Sequence, residues 1–401
     1  MVVKGDYQNM LLVNPIGRMV EIDENWENWL KEPGFRLATA EEERMYRFER
    51  KQHVDNEENA NDPNVLYFQS VTSKGRGDGY GTSAKHMLEA LHEAGVKTSE
   101  SFNNQNIGLL YHSPYSIMRM ETRFRILFTM FESSKIPDDW KDILKLADMV
   151  IVPSTWCQEV FGRAGVETRV VPLGYDDKVF KYIERPERKP FTFLHYDAFN
   201  TRKGHFEVFN AFEKAFGNSD KVKMIFKTTR PQISVPLSPS QYPNIECIYG
   251  DVPQTELVDI INRSDCFVFP SRGEGFGTTP LEAMATGLPA IVPNAHGISE
   301  YFNSDCMIEV KVAGPSVPIY RRLTDVGDMI KVDEDDLAAK MLWVYENQAE
   351  AREIGNKASQ YVKKYTYAET AKKLKAIINE IRMNPLPARK IMNKLPLERV
   401  K

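Results

Sequence analysis

From Asn64 onward, short apolar runs alternate with longer helical ones, and this alternation constrains the fold more than any other feature. NVLYFQS, IGLLYHS, RILFTMF, DMVIVPS and TRVVPLG read as strands of a first unit. FTFLHYD, KMIFKT, NIECIYG, CFVFPS and PAIVPNA read as strands of a second. Helical segments fall between them: Ala84–Ala94, DDWKDILKLA and TWCQEVFGRAG, then Gly204–Phe216, Gln254–Asn262 and Pro280–Thr286. Strands joined through helices pair in parallel, so the expected class is α/β, with two open units facing across a cleft.

The ends read differently. Residues 1–62 form a small appended element with strands at Met10–Val13 and Met19–Ile22, a charged helix at Glu41–Gln52 and a polar stretch to Pro63. The expected boundaries are 63–180 for the first α/β unit and 181–365 for the second. The charged, proline-containing run Tyr175–Pro190 is the candidate linker. Further helices are expected at Asp335–Asn347, Ala349–Lys364 and Tyr367–Ile381. Residues 384–401 form a basic tail that prolines keep from becoming a long helix.

Composition narrows the function classes. A hydrophobic fraction of 42% excludes a disordered chain and supports a sizeable core. The net charge of -4 gives no whole-chain attraction to nucleic acid. Cys157, Cys247, Cys266 and Cys306 make no C-x-x-C pair and read as buried free thiols. The N-terminal sequence is a poor signal peptide and no apolar run reaches the length of a membrane span, so the expected location is cytoplasmic.

The stretch CFVFPSRGEGFGTTPLEAMATGLPAIVPN, residues 266–294, carries the chemistry. A buried strand runs into Gly273, Gly275 and Gly277, where the missing Cβ atoms let the backbone approach a ligand. Thr278 and Thr279 precede Pro280, which suits a first helical turn. The unpaired N–H groups of such a turn favour an anion, so phosphate is the expected ligand. Glu274 and Glu282 flank the site, and Glu282 could reach a sugar or ribose hydroxyl pair. A glycine-rich turn with two solvated glutamates would read the same way.

E-G-F-G-x-x-x-L-E-A-M-A-x-G-x-P resembles the signature of the retaining GT-B glycosyltransferases of group 1. That family includes bacterial mannosyltransferases and relatives of sucrose and trehalose-phosphate enzymes. Its mark is two glutamates separated by seven residues, as Glu274 and Glu282 are. The resemblance extends over most of residues 64–383, including IVPSTWCQEVFGRAGVETRVVPLGYDDKVF and FTMFESSKIPDDW. It implies two Rossmann-like domains, with the helix at 366–383 crossing back to the N-terminal one. It also implies Glu274 against the donor sugar, Glu282 on the nucleotide ribose, and the amides of Gly275, Phe276, Gly277, Thr278 and Thr279 on the diphosphate and sugar.

Other candidates join this set. Arg202 and Lys203 open a helix in the second unit and suit a diphosphate leaving group. Lys203 matches the family's lysine before glycine, whereas Asp197–Asn200 stands where the family usually has its arginine. Lys227 ends a strand at the same edge. Gly79, Tyr80, Gly81 and Thr82 read as a glycine loop, and in the family that loop faces the donor phosphate and the acceptor. His112 stands at a strand end where the family often has a histidine touching the donor sugar. Glu132 is the acceptor-side candidate. Asp333-Glu334-Asp335 has a metal-binding spacing but reads as a helix cap, and no catalytic metal is expected.

The expected function is transfer of a sugar from a UDP- or GDP-sugar to an acceptor hydroxyl, with retained anomeric configuration and no cofactor. One alternative is a viral-type DNA glycosyltransferase using the basic tail and Arg119–Arg125. Others are a two-domain nucleotide-sugar epimerase and a nucleotide-sugar binder without turnover.

Overall fold

A computed structural model describes residues 10–13, 19–22, 31, 36–38, 62, 64–70, 79–99, 106–198, 200–228, 242–318, 320, 323 and 325–384. The expected helix Glu41–Gln52 and residues 385–401 of the basic tail lie outside these. The chain divides into two compact bodies, Met1–Asn59 and Ala60–Lys401. In the first, β1 (Met10–Val13) pairs antiparallel with β2 (Met19–Ile22) and β3 (Arg36–Leu37), in the order β2-β1-β3.

The second body holds two six-stranded parallel sheets. The first sheet is built from β4 (Leu66–Ser70), β5 (Thr98–Ser99), β6 (Ile107–Tyr111), β7 (Phe124–Phe128), β8 (Met149–Val152) and β9 (Arg169–Val170). Its order is β5-β4-β6-β7-β8-β9. Helices α1 (Gly79–Glu93), α2 (Trp140–Leu144) and α3 (Thr155–Arg163) connect its strands.

The second sheet contains β10 (Phe191–Tyr196), β11 (Val222–Thr228), β12 (Ile245–Tyr249), β13 (Cys266–Val268), β14 (Ala290–Pro293) and β15 (Ile308–Val310). Its order, β12-β11-β10-β13-β14-β15, is the 3-2-1-4-5-6 order of dinucleotide-binding folds. Helices α4 (His205–Phe216), α5 (Gln254–Asn262) and α6 (Thr278–Ala285) serve this sheet. After β15 comes an antiparallel hairpin, β16 (Val312–Ser316) and β17 (Met329–Val332). Helices α7 (Glu334–Glu346), α8 (Gln348–Tyr361) and α9 (Tyr367–Met383) complete the body.

The strand sequences explain this layering. IGLLY and FTFLHY are buried at every position, as strands covered on both faces must be. Phe193, Phe212, Met224 and Val268 form one core with α4 and α7, and Leu110, Leu127, Phe161 and Val152 form another under the first sheet. Cys157, Cys266 and Cys306 are buried thiols, and Cys247 is partly covered. Among the described residues, no helix is long and apolar enough to cross a membrane.

The last helix returns to the first α/β unit. Tyr367 donates its hydroxyl to Ser83 Oγ on α1 at 3.0 Å, and Thr370 Oγ1 donates to the Pro172 carbonyl at 2.9 Å. Arg169 grips Glu380 with two bonds of 2.7 Å. The crossing starts where Tyr175 bridges Thr366, and Gly174 makes room for it. A Cβ on Gly174 would stand 2.1 Å from the Thr366 carbonyl carbon, a backbone atom. Gly174→Ala should therefore lower unfolding free energy by about 1–3 kcal/mol, the usual cost of overpacking. Denaturant unfolding measures the loss, and hydrogen exchange should place it in α9. Unchanged protection there would mean the crossing tolerates a side chain.

Candidate active site

Both sheets present the C-terminal ends of their strands to one place, where ligands bind in open parallel sheets. In the second sheet the strand order reverses between β10 and β13, and the chain segments after those two strands meet there. Gly204 lies in the left-handed region with φ 79°, and a Cβ on it would stand 2.6 Å from the Pro270 carbonyl oxygen. The Arg272 N–H donates to the Arg202 carbonyl at 2.7 Å. These contacts bring Arg202 and Lys203 beside the glycine turn.

The glycines serve a purpose that sequence reading missed. A Cβ on Gly273 would stand 2.3 Å from the Glu132 carbonyl oxygen, and one on Gly275 would stand 2.7 Å from Met130 Cβ. Both approach the segment after β7, so in this structure their missing side chains accommodate the neighbouring α/β unit. Ser154, the cap of α3, donates its hydroxyl to the Gly275 carbonyl at 2.8 Å. The Thr155 N–H and hydroxyl reach Glu300 Oε2 at 2.8 and 2.9 Å, and Trp156 stacks on His296.

Glu274 lies at the centre, buried to 6% exposure. One of its oxygens receives three groups: Arg202 at 2.8 Å, Lys203 Nζ at 2.8 Å and Ser271 Oγ at 2.6 Å. Burial alone would raise this carboxyl, but the charges of Arg202 and Lys203 outweigh it and hold the group down at about 2. Lys203 also bonds Asp197 at 2.8 Å and lies over the Phe269 ring. Arg202 reaches Glu132 at 3.6 Å. Beneath them, burial pushes His195 down to about 4 and His205 to about 2, so both imidazoles are neutral near pH 7.

Beyond Glu274 the chain enters α6. Its cap residue is Gly277, with φ 83° and no side-chain capping bond. Among the described residues, no side-chain cap bond to the first N–H groups of α6 is found, the condition for an anion site. Phe276 is fully buried against Tyr301, whose hydroxyl donates to the Gly277 carbonyl at 2.6 Å. Thr279 Oγ1 lies 3.3 Å from Asp197 Oδ2. The Tyr196 hydroxyl lies 3.0 Å from both the Thr279 carbonyl and Glu282 Oε2.

The remaining candidates sort themselves by position. Gly79, Tyr80, Gly81 and Thr82 are not a loop but the first turn of α1, a correction to the sequence reading. Gly81 is buried there, and packing sets the helix start despite the glycines. Tyr80 still reaches the cleft wall, with its ring 5.2 Å from His112 and its hydroxyl 3.5 Å from the Met130 carbonyl. His112 Nδ1 lies 3.0 Å from Ser113 Oγ. Lys227 stands one residue before the end of β11, but its ammonium donates to the Gly250 carbonyl at 2.8 Å and faces Asp251 and Glu256. Asp333 caps α7 by accepting from the Asp335 and Asp336 N–H groups.

Sequence reading gave no role to Ser271, Asp197 or Ser154. Ser271 and Asp197 stand beside quoted motif residues, and Ser154 shows the capping pattern of a serine before a helix.

Glu282 contrasts with Glu274. Burial pushes its carboxyl up to about 7, against the Tyr196 hydroxyl and the charge of His86, with Asp197 and Asp176 adding to the rise. A carboxyl raised above its ordinary 4.5 stabilises the fold below that value, and the contribution is lost as pH climbs to about 7. Between those pH values the wild type should lose melting temperature relative to Glu282→Gln. Parallel melting curves for the two proteins would show no Glu282 contribution to this slope.

Residues 178–306 match the family model described as Glycosyl transferases group 1, and residues 251–374 match Family 4 Glycosyltransferase in conflict systems. The chain is 25% identical over 213 residues to Putative glycosyltransferase ORF313 of Acidianus filamentous virus 1. That match covers 52% of this chain and 63% of the viral protein, so it spans less than two thirds of the relative. Among solved structures, sucrose-phosphate synthase from Thermosynechococcus elongatus superposes with a TM-score of 0.61 at 15% identity, covering 80% of this chain and 99% of that one. Anabaena HepE in complex with UDP-glucose gives a TM-score of 0.55 at 12% identity, covering 79% and 99%. Residues 178–306 are thus similar to the group 1 glycosyltransferases, and the two-sheet architecture is the GT-B fold.

Proposed function

We propose that this chain transfers a sugar from a nucleoside-diphosphate sugar to an acceptor hydroxyl, with retained configuration at the anomeric carbon. The observation that carries the reading is the Glu274 carboxylate held by Arg202 and Lys203 beside the glycine-capped N-terminus of α6. The two cations and the helix N–H groups would meet the charge that develops on the leaving diphosphate, the work a divalent ion does in other transferases. Lys203 has three N–H donors against two carboxylate partners, which leaves one for phosphate.

In this reading the bond from C1 to the phosphate oxygen breaks and its electron pair leaves with the diphosphate. The acceptor oxygen bonds C1 on the same face, and its proton passes to the departing phosphate. Glu274 orients the cations and supports the positive charge on the sugar. Glu282 would take the ribose hydroxyls while accepting from the Tyr196 hydroxyl. UDP-glucose, the ligand of the Anabaena structure, is the first donor to test.

Thermal shift against UDP, GDP and ADP should give a rise with one nucleotide, because a ligand bound only by the folded state raises its melting temperature. Lys203→Ala should weaken that nucleotide about tenfold or more, the loss of one charged hydrogen bond. Equal affinity would move the diphosphate elsewhere. Glu274→Ala should cut nucleotide-sugar turnover about 100-fold or more while the protein still melts cooperatively, on the scale of losing one preorganised electrostatic contact. An unchanged rate would remove Glu274 from the chemistry.

A further inference from the structure

The β16–β17 hairpin is a bridge as well as an extension of the second unit. On one side the Ile330 N–H donates to the Arg272 carbonyl at 2.8 Å, which ties β17 to the glycine turn. On the other side, the Ser134 N–H donates to the Asp328 carbonyl at 2.9 Å and the Lys135 N–H to the Val326 carbonyl at 3.1 Å. Ser134 Oγ in turn accepts from the Asp328 N–H at 2.8 Å. Tyr320, Leu323 and Val326 pack into the core beneath the first sheet.

Tyr320 comes from this bridge and stacks on Phe131 at 5.5 Å between ring centres. Its hydroxyl donates to Glu132 Oε2 at 3.1 Å. The other oxygen of Glu132 is the one 3.6 Å from Arg202, whose guanidinium binds Glu274. A line of contacts therefore runs from the hairpin, through Glu132, to the centre of the site. Burial, and then the neighbouring Glu132, push the Tyr320 hydroxyl well above its ordinary value, so it stays a donor at any working pH.

We propose that Tyr320 is a positioning residue: it fixes the Glu132 carboxylate so that the oxygen beside Arg202 receives the hydroxyl of the incoming acceptor. The inference rests on the glycosyl-transfer reading above. Water can stand in for the acceptor, because a transferase with no other hydroxyl in its cleft releases nucleotide by hydrolysis. The sugar–phosphate bond then breaks to the diphosphate, water oxygen bonds C1, and the water proton goes to the leaving phosphate.

The test uses UDP-glucose and GDP-mannose with water as acceptor, and reads nucleotide release and nucleotide affinity together. Tyr320→Phe keeps the stacked ring and removes only the hydroxyl. It should lower kcat about tenfold, the effect of one hydrogen bond to a charged group, with nucleotide Kd within twofold of wild type. In a Glu132→Ala background the same change should add nothing, because Tyr320 acts through Glu132. An unchanged kcat, or an equal fall in both backgrounds, would overturn the proposal while leaving the transfer reading intact. A wild type that binds neither nucleotide and hydrolyses neither donor would sink the transfer reading itself, and this inference with it.

Discussion

The buried Glu274 carboxylate is the constraint on which the rest of the site depends. Removing a charge from water costs several kcal/mol unless close partners replace the lost hydration. Arg202, Lys203 and Ser271 are those partners, and all three converge on one oxygen. They can do so only because the segments after β10 and β13 touch at Gly204 and Pro270. Arg202 and Lys203 are then shared onward with Glu132 and Asp197, so each cation is balanced from two sides. Changing one member therefore alters the charge felt by the others.

The same cluster couples the two α/β units. Glu132 belongs to the first unit, and Arg202 and Glu274 belong to the second. Around that charged centre lie neutral ties: Ser154 on Gly275, Thr155 on Glu300, and the hairpin on Ser134 and Lys135. Gly273 lets the backbone meet that of Glu132 and Gly275 makes room for the Met130 side chain, so a Cβ at either would force a shift where the units touch. This arrangement buries the centre of the cluster, where Glu274 is 6% exposed. Exclusion of water strengthens every charge interaction within it.

Much of this was legible in the sequence, for identifiable reasons. The strands β6 and β14 announce themselves as uninterrupted apolar runs and β10 and β11 as largely apolar ones, because parallel strands are covered on both faces. Helix α5 is read to the residue, Gln254–Asn262, because its apolar period is clear. The Glu274–Glu282 spacing and the lysine before glycine located the second unit's half of the cluster. Three features were not legible. The hairpin carries Gly314, Pro315 and Pro318 near its turn side and does not alternate cleanly, so it does not read as paired strands. The start of α1 among glycines is set by packing that no local pattern records. The partnership of Tyr320 with Glu132 spans 188 residues of sequence, and only the folded chain brings them together.

The two signature glutamates show how one residue type is given two characters. Both are taken from water, and burial raises both. Glu274 meets two cations and ends as a permanent anion at about 2. Glu282 meets no close cation: burial, with Asp197 and Asp176 adding to it, outweighs the Tyr196 hydroxyl and His86, and the carboxyl ends at about 7. A fixed anion can hold cations and support developing positive charge. A carboxyl titrating near neutrality can both accept and donate a hydrogen bond. The eight-residue offset serves this division: it places the first carboxyl in the turn before α6, facing Arg202 and Lys203, and the second within the helix, facing Tyr196. Environments that drive the two carboxyls of one motif apart give them different protonation behaviour near neutrality. A single glutamate moved between the two positions would take the character of its new neighbours.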